Sequence, residues 1–390
     1  MTTPQRHILF VTGEYPPQTG GVGAYTAELA AALTDLGWQA SVLTSASVPA
    51  ADQPGPIAVY SVVESWNWRI WRLAPQMAAQ IGAGWLHVQY QTAAFGMKIA
   101  INLAPPRWRA AGCRVAWTYH DLLPPYLFPK AGARLRRYAS EYPAARTDVT
   151  IVTNEGDRLE LAGRMDESGA RLARIPIGSN IHALAVSAGE RAACRRRLGY
   201  GPDDLVLAYF GFLNQSKGGL TLIRTLERVR RESPHAHLLM IGERMGSKAA
   251  TNDAYIQEVE ALIASSGLTP YVQWTGRLDE ADVSRALTIA DVLLMPYEDG
   301  ASLRRGTLMA GLNHGCAIVT TYPQAPLPEL VDGRDLLYVP PGDPAAAAEA
   351  TLRIARDPAL AARLAAGARA ASRQFRWEEI AAKHVALYTE

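Results

Sequence analysis

Short apolar runs alternate with amphipathic helical stretches along almost the whole chain, and this alternation limits the folds open to it. Runs at 7–12, 39–44, 85–88, 114–119, 148–153 and 172–176 read as strands, and a second series follows at 205–210, 237–241, 271–275, 290–295, 317–320 and 336–339. Helical periodicity fills 22–37, 219–232, 253–266, 279–288, 303–313, 344–355 and 358–374. Strands separated by helices form parallel sheets covered on both faces. The two series are parted by the turn-like Pro176-Ile177-Gly178-Ser179-Asn180 and a helical-looking 184–199. They predict an α/β chain of two doubly wound, Rossmann-like domains, for which 390 residues suffice. Ligands of open α/β sheets bind beyond the carboxyl ends of the strands, so the site is expected in a cleft between two facing domains.

Composition excludes several classes. A net charge of +2 is too small to indicate nucleic acid. Cys113, Cys194 and Cys316 are far apart and odd in number, which gives no disulfide framework and no CxxC metal pattern. A reducing cytosol is therefore the expected compartment. The first residues lead into a strand with no signal-peptide pattern, and no run of about 18 apolar residues occurs.

Chemistry is expected in the loops after the strands. Met295 to Thr321 reads as strand end, glycine loop and helix, with Asp299-Gly300-Ala301-Ser302 as the loop and a helix expected from Leu303 to Asn313. A helix N-terminus after a glycine turn is an anion site. Arg304 and Arg305, expected in its first turn, would oppose the helix dipole unless an anion sat there. Gly20, Gly21 and Val22 follow the first strand, either as a close approach of backbone to a ligand or as a mobile glycine turn. The loop does not fit a nicotinamide dinucleotide fingerprint, since Gly21-Val22-Gly23-Ala24-Tyr25-Thr26 lacks the last glycine and Val42-Leu43-Thr44-Ser45 lacks the ribose-binding acid. His120 ends a strand, where it could hydrogen-bond a sugar hydroxyl, polarise a reacting centre or serve structure alone. Lys217 lies in the glycine-rich Gly211–Gly219 turn, as a phosphate contact or a solvated loop lysine; the Walker order is absent. No G-x-S-x-G and no metal-ligand spacing occurs, so leaving-group charge falls to Lys217, Arg304, Arg305 and helix N-termini.

Taken together and in order, these segments resemble a GT-B glycosyltransferase of the retaining family 4 group, over nearly the full chain. The resemblance is carried by V-T-G-E-Y-P-P-Q-T-G-G-V-G-A-Y-T-A-E-L-A from Val11, His87-Val88-Gln89-Tyr90, Thr118-Tyr119-His120-Asp121, Ile175-Pro176-Ile177-Gly178 and Gly211 to Gly218. Leu336 to Asp343 and Phe375-Arg376-Trp377-Glu378-Glu379-Ile380 extend it. It implies an N-terminal acceptor domain of 1–183 with a returning helix at 375–390, and a nucleotide-sugar domain of 184–374. It also implies sugar transfer from a nucleoside-diphosphate donor to an acceptor hydroxyl, with retention, without metal and with no resident cofactor. By resemblance His120 and Lys217 are the catalytic pair. Gly20, Gly21, Val22, Lys217, Gly300, Ala301, Ser302, Leu303, Arg304, Arg305 and Thr307 bind the donor.

Two departures stand out. Phe212 replaces the arginine that commonly follows the glycine of the family's G-R-L, and the two glutamates of E-x7-E fall on Ser302 and Ala310. The chain instead resembles a sub-branch with D-G-A-S-L-R-R-G-T, in which Arg304 or Arg305 would supply the lost charge; about 100° between helical neighbours would let only one face the ligand. The acceptor is expected to be a saccharide or lipid-linked. The cluster Ser65 to Arg72 could pack in the core, stack on sugar or meet lipid, and Lys130, Arg134, Arg136 and Arg137 add basic charge. Cytoplasmic location is expected, with peripheral membrane contact left open. Competing readings are a phosphorylase or epimerase on the same fold, or a degenerate protein that binds nucleotide-sugar without turnover.

Overall fold

The computed structural model describes residues 6–18, 20–49, 56–122, 132–165, 171–244 and 250–390. The chain divides into two compact units, one of Met1–Asn180 with Arg376–Glu390 and one of Ile181–Phe375.

The first unit holds a seven-stranded sheet of order β3-β2-β1-β4-β5-β6-β7. Its strands are β1 (His7–Thr12), β2 (Gln39–Ser45), β3 (Ala58–Val63), β4 (Trp85–Tyr90), β5 (Arg114–Tyr119), β6 (Val149–Val152) and β7 (Arg171–Arg174). All neighbours pair in parallel. Helices α1 (Gly21–Asp35), α2 (Ile70–Ile81), α3 (Pro105–Ala110), α4 (Ala133–Glu141) and α5 (Glu155–Met165) connect them. The strand β3 went unread because it is an edge strand with five of six residues outside the buried class, so it shows no continuous apolar run.

The second unit holds a six-stranded parallel sheet of order β10-β9-β8-β11-β12-β13. Its strands are β8 (Leu205–Phe210), β9 (Ala236–Ile241), β10 (Val272–Trp274), β11 (Val292–Met295), β12 (Ile318–Thr321) and β13 (Leu337–Val339). Around it lie α6 (Ala188–Arg197), α7 (Gly219–Glu232), α8 (Ala250–Ser265), α9 (Glu280–Ile289), α10 (Gly306–His314), α11 (Pro344–Arg356) and α12 (Pro358–Ser372). Aspartates start three of these helices: Asp279, Asp343 and Asp357 each accept first-turn N–H groups, the last two followed by proline.

The last helix, α13 (Trp377–Thr389), belongs to the first unit and packs on α1. Its Ile380, Ala381 and Tyr388 are buried with Ile8, Phe10 and Trp85 of the sheet. The Trp377 indole N–H donates to Ser179 O at 2.8 Å.

Candidate active site

In the second unit the loops after β8 and β11 meet at one glycine. Gly218 starts α7 with φ 70°, and a Cβ there would stand 1.9 Å from Pro296 O, so no other residue fits without moving backbone. This contact brings Lys217 beside the loop that follows β11. The buried Tyr297 is the platform they share. Lys217 Nζ lies 5.1 Å from its ring centroid and Arg305 Cζ 4.8 Å, while its hydroxyl bonds Thr307 Oγ1 at 2.9 Å. The negative face of the ring favours both cations.

Asp299 is the counter-ion. Its Oδ1 pairs with Arg305 Nη2, and Arg304 Nη2 stands 3.9 Å from Oδ2. The Arg305 side chain is 11% exposed and that of Arg304 38%, so Arg305 lies deeper. Arg305 Nε is buried with no hydrogen-bond partner among the described residues. Burial first, and the Arg305 charge next, push the Lys217 ammonium down to about 7, against the pull of Asp299. Three cations thus share one carboxylate. The described group carries more basic than acidic side chains.

The local structure differs from the sequence reading in three respects. The helix begins at Gly306 rather than Leu303, with Arg305 as its N-cap in extended backbone. Arg304 and Arg305 therefore precede the helix, where Asp299 offsets the charge they would set against the positive end of the dipole. The inference that only one arginine can face an anion falls with it, since both guanidinium groups turn to the same carboxylate. The third difference concerns backbone donors. Gly300 N–H donates to Tyr297 O and Ala301 N–H to Thr321 O, so neither is free for a ligand. Among the described residues no acceptor takes the N–H of Ser302, Gly306 or Thr307.

The positions of the missing glutamates are unlike each other. Ser302 is half-buried and its hydroxyl accepts the Arg304 N–H at 3.4 Å, whereas Ala310 is fully buried. A carboxylate at 310 would be taken out of water. Glu298 is bound elsewhere, to the Thr221 hydroxyl in the first turn of α7 (2.8 Å). Leu303 is buried, and Phe212 is exposed beside Gly211.

In the first unit the glycine loop before α1 also carries its own anion. Glu14 Oε1 accepts the N–H of Val22 at 3.0 Å and of Gly23 at 3.2 Å. A Cβ at Gly20 would stand 2.2 Å from that oxygen, while one at Gly21 meets nothing within 4 Å. The first-turn donors expected to face a ligand are thus capped by Glu14, which sequence reading missed. The signal was present as a carboxylate eight residues ahead of a helix start. His120, at the end of β5, is bonded through Nε2 to Gln89 Oε1 at 2.9 Å and stands edge-on to Tyr25. Burial, and secondly His384, push it down to about 3, so near pH 7 it is a neutral imidazole and not an imidazolium acid.

Comparison with known proteins decides the class. Residues 19–183 match Glycosyltransferase Family 4, and residues 204–357 match Glycosyl transferases group 1. The chain is a GT-B glycosyltransferase. Among solved structures, it is similar to Anabaena HepE in complex with UDP (TM-score 0.75, 16% identity, 98% of this chain and 99% of that one). It is also similar to sucrose-phosphate synthase from Thermosynechococcus elongatus (TM-score 0.73, 20% identity, 98% of each chain). A relative from Mycobacterium tuberculosis, the GDP-mannose-dependent alpha-(1-6)-phosphatidylinositol monomannoside mannosyltransferase, is 26% identical over 96% of each chain. A D-inositol 3-phosphate glycosyltransferase from Streptomyces bingchenggensis is 25% identical over 67% of this chain and 56% of its own.

The aromatic cluster of this glycosyltransferase divides. Trp66 is buried against Phe95 with its N–H on Ser45 Oγ, and Trp71 donates to Ala100 O beneath the Arg107 guanidinium. Packing accounts for both. Trp68 is exposed. Of the basic group, Lys130 lies outside the described residues, and Arg134, Arg136 and Arg137 lie on α4 beside exposed Leu135 and Tyr138. No described helix is long and apolar enough to cross a membrane.

Proposed function

We propose that this glycosyltransferase binds a nucleoside-diphosphate-sugar in its second unit, through Lys217, Arg305 and the start of α10, and delivers the sugar to a hydroxyl of a saccharide or lipid-linked acceptor. The observation that carries the reading is the pairing of Lys217 and Arg305 over the Tyr297 ring, with Asp299 as the carboxylate between Arg305 and Arg304. A diphosphate adds the negative charge this group lacks, and a guanidinium can hold it bidentately. Arg305 thereby takes the role lost at Phe212, in a loop variant reading D-G-A-S-L-R-R-G-T.

In this scheme Lys217, Arg305 and the free N–H groups of Gly306 and Thr307 stabilise the leaving diphosphate. A bound metal is not needed, and the donor is a co-substrate rather than a resident cofactor. The first unit presents the acceptor. His120, neutral, contacts the transferring sugar by hydrogen bonding. The acceptor proton passes to the leaving phosphate oxygen, and the anomeric configuration is retained. Gly21, where an added Cβ meets nothing within 4 Å, is the open position in the loop before the Glu14-capped helix. A lipid-linked acceptor is supported by the full-length mycobacterial relative that acts on a phosphatidylinositol mannoside. Exposed Leu135, Tyr138 and Trp68 beside arginines suit contact with an anionic membrane surface.

GDP-mannose is the first donor to test, with UDP-glucose as comparison and phosphatidylinositol mannoside as acceptor, with and without EDTA and anionic vesicles. The expected outcome is chelator-resistant transfer giving a product of retained configuration, with protein sedimenting on the vesicles. An inverted product, or activity abolished by EDTA, contradicts the mechanism; absence of co-sedimentation contradicts the membrane contact.

A further inference from the structure

The histidine at the end of β5 is the last member of a buried hydrogen-bonded chain that starts on the C-terminal helix. His87 and Gln89 are two residues apart on β4, so their side chains share the face covered by α1 and α13. His87 Nδ1 lies 2.6 Å from the Tyr388 hydroxyl of α13, and its Nε2 lies 2.8 Å from Thr118 Oγ1 and 3.2 Å from Gln89 Nε2. Gln89 then reaches His120 through Oε1. His87 and Gln89 are both 0% exposed, so no water competes for these groups.

The orientation of the Gln89 amide, nitrogen toward His87 and oxygen toward His120, places the protons. The Gln89 amide nitrogen can only donate, which makes His87 Nε2 an acceptor and leaves the His87 proton on Nδ1, directed at Tyr388. The Gln89 amide oxygen can only accept, so His120 Nε2 must be its donor. A neutral imidazole has one proton. His120 Nδ1 therefore carries a lone pair. It has no partner among the described residues and is not one of the buried unsatisfied atoms.

We infer that Gln89 is a positioning residue that locks His120 in the Nε2–H tautomer, so that Nδ1 receives a hydrogen bond from a hydroxyl of the transferring sugar. This rests on the reading that His120 meets that sugar. It adds a chemical requirement: the substrate group at Nδ1 must be a donor. A sugar hydroxyl qualifies, and a ring oxygen, a methyl ether or a deoxy position does not. Among the described residues Tyr25, His384 and His87 are the other titratable groups that act on the ring, and none of them bonds Nε2.

The test uses the whole protein with ¹⁵N-labelled histidine. Long-range ¹H–¹⁵N spectra separate the two tautomers, and the His120 signals are assigned by their loss in His120→Ala. The wild type should show the Nε2–H tautomer. Gln89→Leu should give a mixture of tautomers and lower kcat/KM at least tenfold, whereas Gln89→Glu, which keeps an acceptor oxygen, should retain the Nε2–H form. An Nδ1–H tautomer in the wild type overturns the inference even if no Gln89 variant folds, and so does an unchanged tautomer in Gln89→Leu. If the tautomers behave as expected but transfer by Gln89→Leu is unimpaired, the substrate contact is refuted. His120→Ala distinguishes the underlying reading: full transfer by that variant removes His120 from the site, whereas lost transfer together with a tautomer indifferent to Gln89 defeats the inference alone.

Discussion

Lowering the pH from 7.5 to 5.5 should weaken the first unit by at least about 3 kcal/mol. The magnitude comes from His87 and His384, both 0% exposed, with ring centroids 5.7 Å apart. Burial holds each imidazole neutral: His384 is pushed down to about 4 and His87 well below its ordinary 6.5, where the neighbouring histidines add to the effect. Between the folded and unfolded values the unfolded chain binds protons that the folded chain refuses, so stability rises with pH across this window. It is complete above about 6.5 and falls as the pH drops below that. At pH 5.5 an unfolded histidine of ordinary pKa gains about 1.4 kcal/mol from protonation, or about 3 kcal/mol for the pair, and His120, pushed down to about 3 in the same unit, adds to the loss. Glu155 and Glu190, whose carboxylates are held below the usual range, act only at lower pH. Urea unfolding followed by tryptophan fluorescence suits the test, because eight of the nine tryptophans lie in the first unit, Trp274 being the exception. The expected result is a lower midpoint at pH 5.5 and a smaller pH effect in His384→Leu. Equal midpoints at both pH values in the wild type, or an undiminished shift in His384→Leu, would refute the reasoning.

Two other outcomes follow from the second unit. An anion bound near Lys217 should raise its pKa from about 7, so diphosphate binding at pH 7.5 should take up a proton and weaken as the pH rises. Calorimetry in buffers of different ionisation enthalpy measures that uptake; the same heat in every buffer would exclude it. Gly218→Ala forces a side chain into left-handed backbone and against Pro296 O, so it should destabilise the second unit by at least about 2 kcal/mol, read from the unfolding of that unit.

Much of this fold was readable because most strands are buried on both faces and stand out as apolar runs, from His7–Thr12 to Leu337–Val339. The edge strand at Ala58–Val63 lacks that signature. Lys217, Arg305 and His120 could be marked as candidates because they lie in loops that follow strands. Their counterparts could not. Asp299 and Glu14 read as loop acids, and only the folded chain brings one to two guanidinium groups and the other to the N–H groups of Val22 and Gly23. Tyr297 follows β11 without any motif to mark it, yet its ring carries two cations. The helix start was misplaced by three residues because Leu303 continues the helical periodicity, while the Asp299 pairing keeps Arg304 and Arg305 outside the helix.

The claim at the centre of this account is that Lys217 and Arg305 hold the diphosphate of the donor. Titration calorimetry of GDP and UDP into the wild type, Lys217→Ala and Arg305→Ala tests it most directly. Losing a charge-assisted contact removes about 1.5–3 kcal/mol, so one of the two nucleotides should bind the wild type and bind each variant about 10- to 150-fold more weakly. Unchanged affinity in both variants would contradict the account.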